Sequence, residues 1–117
     1  MRRKVLREWY SKRAKEEILT RAAKHARQLG VHFAAVKIVD SRYLWGSCTV
    51  NDNVNLNWRL IKAPLFVIDY VIVHELAHLI EPNHTSRFWS IIRAHTPTMA
   101  KAKLWLKENG QILEEDV

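Results

Sequence analysis

Residues 74–84 read His74-Glu75-Leu76-Ala77-His78-Leu79-Ile80-Glu81-Pro82-Asn83-His84. His74 and His78 are four apart, so on an α-helix their side chains stand one above the other, about 40° apart around the axis. Imidazoles so placed can bind one ion together. Glu75 falls on the adjoining flank, where it meets a metal-bound water rather than the metal. His84 follows just past the helix-breaking Pro82 and completes a candidate ligand set of His74, His78 and His84. Three protein ligands leave one tetrahedral position open, which separates catalytic zinc from structural zinc. Glu75 is then the candidate general base, taking a proton from water and handing it to the leaving group. Neutral imidazoles leave the ion its full charge, which draws the water's pKa toward about 7.

The residues before the motif say that this helix is buried. Val67, Ile68, Val71, Ile72, Val73, Leu76 and Leu79 leave it almost no polar face. Polar groups on such a helix cost roughly 2–7 kcal/mol unless satisfied, and a metal would satisfy them. The spacing His74-x3-His78-x5-His84 equals that of metzincin proteases, which usually place Gly where this chain has Glu81. The turn must come from Glu81-Pro82 and from Asn83, which tolerates the left-handed region. Glu81 is an alternative third ligand, but His84 has the better spacing.

Around this motif the chain reads as an α+β domain with a small antiparallel sheet of about three strands. Leu6, Trp9, Tyr10, Ala14, Ile18, Ala22, Ala26 and Leu29 recur at helical spacing, and Gly30 stops the N-terminal helix. Residues 31–39 are rich in β-branched residues and read as a strand. Trp45-Gly46-Ser47-Cys48 reads as a turn before a second strand entered at Thr49-Val50. After Asn51-Asp52-Asn53, residues 54–57 alternate as a half-exposed strand should. Pro64 suits the start of the active-site helix, expected to run to Ile80. Two further helices follow: one capped by Thr85 or Ser86, one from Thr98 to about Asn109-Gly110, with an acidic tail beyond.

Three other side chains are candidates to steady the ligands or to stabilise the transition state. Tyr70 lies one turn before His74 and could donate to an oxyanion. His95 closes the helix after His84. Arg87 is a cation near the motif. Asp69, opposite His74 on the wheel, is expected to pair with Arg59, and His25 is expected to be exposed.

The 117 residues suit one domain with a single modest core. No apolar run is long enough to span a bilayer, and no export signal is evident. The lone Cys48 cannot form an internal disulfide, which fits a reducing cytoplasm. The net charge of +7 resides wholly in residues 1–30, with ten Lys/Arg against three Glu. The basic helix 2–28 is therefore either a solvated face or a contact for nucleic acid or an acidic partner.

Trp45-Gly-Ser-Cys48, Asn55-Leu-Asn-Trp-Arg-Leu60, Asp69-Tyr70-Val71, His74-Glu-Leu-Ala-His78, Asn83-His84 and Arg87-Phe88-Trp89 together resemble the YgjP family of zinc-dependent metallohydrolases. The resemblance implies a minimal zincin-like peptidase domain with His74, His78 and His84 on zinc and Glu75 as base. That family is similar to SprT-like and WLM proteases, which act on proteins attached to DNA; some members are instead UTP pyrophosphatases. Typical members carry a β-rich region before the first helix, where this chain begins. It is therefore a minimal form or the catalytic part of a longer architecture.

Three functions are consistent with these features. A metallopeptidase would pair an extended polypeptide substrate with an edge strand, expected at residues 54–57. A nucleotide pyrophosphatase would need cations near the metal, for which Arg42, Arg59, Lys62 and Arg87 are available. A DNA-associated module with structural zinc would need a fourth protein ligand.

Overall fold

Helix α1, Arg2–Leu29, turns its small and branched residues inward: Ile18, Ala22 and Ala26 are buried. The computed structural model describes residues 2–40, 45–49 and 51–114; the side chains of Leu6, Tyr10 and Ala14 lie outside the described set, as do Arg42, Val50 and residues 115–117. Gly30 ends the helix as expected. Its φ of 72° is the left-handed conformation that lets its N–H reach Arg27 O (3.3 Å) and the Val31 N–H reach Ala26 O (3.0 Å). Trp9, expected on the inner face, is instead 54 % exposed.

Strands β1 (Ala35–Val39), β2 (Gly46–Cys48) and β3 (Asn53–Asn57) form one sheet in the order β1-β3-β2. The sheet is mixed, which corrects the antiparallel expectation. β2 and β3 form an antiparallel hairpin, but β3 returns between β1 and β2 and runs parallel to β1, with Val36 beside Val54. A strand inserted between two oppositely directed neighbours must be parallel to one of them. Two further expectations change. Gly46-Ser47-Cys48 is a strand rather than a turn, and the reversal falls at residues 49–53, where Asp52 takes a φ of 61°. Residues 54–57 form the central strand, with Val54 and Leu56 fully buried; the edge strands are β1 and β2.

A 3-10 helix, Trp58–Lys62, begins where Asn57 Oδ1 accepts from Arg59 N at 3.0 Å, and it leads into α2, Leu65–Ala77. α2 is buried nearly all round and packs against α1, α3 (Ser86–His95), α4 (Met99–Glu114) and β2. It ends three residues before Ile80, because the last turn tightens. The N–H groups of His78, Leu79 and Ile80 each reach back three residues, at 3.2, 3.0 and 3.0 Å. Thr85 caps α3, its Oγ1 accepting from Phe88 N. α4 continues through Gly110 rather than stopping there; interior Gly costs about 1 kcal/mol, which a helix anchored by buried Ala102 and packed Leu106 absorbs.

Asp69 does not pair with Arg59. It receives Arg21 Nη1 at 3.0 and 3.1 Å and bonds His25 Nε2 at 2.9 Å, while His25 Nδ1 meets His95 Nε2 at 3.0 Å. His25 is thus half-buried rather than exposed, and this chain of contacts ties α1 to α2 and α3. Arg59 is buried and pairs with Asp40. Burial alone would raise Asp69, but hydrogen bonds and charge from His25 and Arg21 outweigh it and hold its carboxyl below the usual range. Burial, with the neighbouring His25, lowers His95. Both shifts act in the same direction. The unfolded chain binds the extra proton first, at His95 below about pH 6.5 and at Asp69 below about pH 4. Stability should therefore fall as pH drops through those windows. A melting-temperature series should show the lower window flatten in Asp69→Asn; an unchanged profile would refute the role given to this cluster.

Candidate metal centre

His74 and His78 project from the last turns of α2, and His84 stands on the loop before the α3 cap. One ligand atom from each lies within 4.8 Å of the others. His78 Nε2 and His84 Nε2 are 3.1 Å apart, close to the roughly 3.3 Å between two nitrogens on one tetrahedral zinc at 2.0–2.1 Å. Burial, opposed by Glu75 and reinforced by the two neighbouring imidazoles, lowers the pKa of His78 and keeps it in the neutral, ligating form. The donor set fits a divalent ion of zinc type.

Glu75 is 7 % exposed, with Oε2 at 3.3 Å from His74 Nδ1. Its place depends on a glycine that sequence reading put in a turn. A Cβ on Gly46 would meet Glu75 Cγ at 3.0 Å and Asn55 O at 3.1 Å. A side chain there would crowd both, and the Glu75 side chain or the Asn55 carbonyl would have to give by a few tenths of an ångström. Gly46→Ala should displace Glu75 and lower turnover by about 100-fold without loss of bound metal. Metal analysis beside a turnover assay would test this; unchanged turnover would mean that Glu75 tolerates the shift.

Sequence reading also missed the floor of the site. Phe88 is fully buried, stacks on His78 at 4.4 Å, and meets the edges of His74 and His84 at 5.1 and 4.9 Å. Trp89 lies 5.7 Å from His84 and carries Lys103 over its ring at 4.3 Å.

Tyr70 is buried, its ring 5.9 Å from His74; burial, then Glu75, pushes its hydroxyl up to about 12, so it stays a donor at neutral pH. His95 is engaged with His25, on the α1 side of the fold. Arg87 is exposed on the first turn of α3 and lines neither of the two cavities beside the histidines. Burial, with Glu75 and Asp52, raises Cys48, and its thiol lies outside the three-histidine cluster.

The larger cavity, about 670 Å³, runs between β2 and the three histidines. No Lys or Arg among the described residues lines it, and Asp52 does. A smaller one, about 250 Å³, lies between Trp45, Tyr70, Val71 and Leu106 beside His74 and Glu75.

A helix bearing paired histidines, a third histidine on the following loop and an edge strand alongside define a metallopeptidase-type α+β domain. The chain belongs to the YgjP-like family, matching its metallopeptidase domain over residues 1–109. No curated relative matches it. The fold is shared with the metallopeptidase zymogen jannalysin of Methanocaldococcus jannaschii, with a TM-score of 0.69 at 17 % identity over 78 % of this chain and 94 % of that one. None of the described helices is long and apolar enough to cross a membrane.

Proposed function

We propose that this metallopeptidase domain is zinc-dependent and cleaves polypeptides with Glu75 as general base and His74, His78 and His84 as the metal ligands. The observation that carries the reading is a three-imidazole cluster beside a buried carboxylate, in a cleft walled by an edge strand. Zinc held there would supply Lewis acidity, activating a water and polarising the scissile carbonyl. The protein's own groups do the rest. Glu75, fixed by Gly46, accepts the proton from the attacking water and returns it to the departing amine. Tyr70, protonated at neutral pH, is a donor for the carbonyl oxygen as it gains charge. Phe88 holds the three rings in register.

The substrate chain would add to β2. Trp45 O accepts from Asn57 N and Thr49 N reaches Asn53 O, so alternate residues of β2 face β3. By that alternation Ser47 bonds inward, while the N–H groups of Gly46 and Cys48 face the cleft. Cys48→Pro removes one outward donor and spares the ladder. It should lower casein cleavage by about tenfold with zinc retained; full activity in a cleavage assay would exclude strand addition at β2. Among the described residues the cleft offers no cations for a nucleotide's phosphates, and the ligand cluster gains no fourth protein donor. We place the enzyme in a reducing cytoplasm on the strength of its single Cys48.

A further inference from the structure

The net charge of this protein and the most exposed aromatic ring among the described residues lie on one helix. On the wheel of α1, Trp9, Arg13, Lys24 and Arg27 fall within about 60° of one another, and all four are exposed. The stripe from residue 9 to 27 is roughly 27 Å long. Glu16 lies at its edge, and Glu17 is held by Arg21 at 2.9 Å. Arg13 sits over the Trp9 ring at 5.8 Å. Beside them is a cleft of about 240 Å³, lined by Trp9, Arg13, Ile61, Leu65 and Ile68 and also by Glu17, the carboxylate that Arg21 holds. Leu65, like Trp9, is 54 % exposed.

Solubility explains the charge but not the ring. An exposed Trp beside Arg13, next to a one-ring cleft floored by Ile61, Leu65 and Ile68, has the make-up of a stacking platform for an unpaired base, with phosphates on the neighbouring Arg and Lys side chains. A duplex keeps its bases stacked inside and offers no ring face to Trp9. We infer that the Trp9–Arg27 face of α1 binds single-stranded nucleic acid, one base stacking on Trp9 over the Leu65 cleft. The function is separate from catalysis and does not depend on the proposed reaction. It does have a geometric consequence for it. Leu65 opens α2 and His74 lies nine residues on, roughly 13 Å along the same helix, so a bound strand would lie near the metal centre.

The test is fluorescence anisotropy of a labelled oligothymidylate of roughly 16 nucleotides with the full chain, at several salt concentrations. Binding should weaken as salt rises, with a log–log slope of about −2 for three phosphate contacts. Trp9→Ala should weaken it about tenfold, Trp9→Phe should restore most of it, and Arg13→Glu with Lys24→Glu should both weaken it and flatten the slope. All four side chains are exposed, and circular dichroism checks that the variants fold. Three results would overturn the proposal: no binding at low salt, binding indifferent to Trp9, or equal competition by duplex DNA or polyglutamate, which would make the stripe a general polyanion surface.

Discussion

Glu75→Gln is expected to lower hydrolysis by about 10³-fold while the protein keeps its zinc. Gln has the same shape, so the close contact with Gly46 and the packing of a side chain only 7 % exposed are preserved. What is lost is the ability to accept a proton at the oxygen that now lies 3.3 Å from His74 Nδ1. The ligand atoms are untouched, so zinc content after gel filtration should equal that of the wild type. Activity within a few-fold of wild type would remove Glu75 from the role of base and leave the three histidines without a proton acceptor of their own.

His84→Ala should have the opposite signature, weakening zinc affinity by more than about 100-fold and activity with it. His84 is exposed and stands on the loop between α2 and the Thr85 cap, so its removal opens no cavity in the core. Metal-free variant and wild type should therefore melt alike, while only the wild type gains stability on adding zinc. Unchanged zinc after dialysis would give the third position to another donor. Glu81 is the obvious one, its Oε1 3.4 Å from Asn83 N in the same loop.

How much of this was legible in the sequence divides along physical lines. The spacing that gathers His74, His78 and His84, the glycine stop at Gly30 and the Thr85 cap are local devices, each written within a few residues, and the fold brings those histidines together and keeps the stop and the cap in place. The features that differ depend on partners distant in sequence. β3 lies parallel to β1 because a hairpin strand slots between two others, which no strand pattern records. Trp45-Gly46-Ser47-Cys48 carries a turn-like composition, yet Gly46 is there because Glu75 approaches it from across the cleft. Asp69 looked opposite the site on a helical wheel and was paired by chemistry with Arg59. The fold instead brings α1 against α2, so Arg21 and His25 reach it first. His95, a candidate near the metal, is drawn into that same cluster. Phe88 was readable as a core residue but not as the floor under three imidazoles, because that role exists only once the loop at Pro82 has folded His84 back over it.

The most direct test of the central claim is a parallel assay of zinc-loaded protein on unfolded casein and on UTP, read by new amino termini and by released pyrophosphate. A cleft with an edge strand and no lining cation among the described residues predicts casein fragments with UTP intact. Pyrophosphate release with casein intact would contradict it.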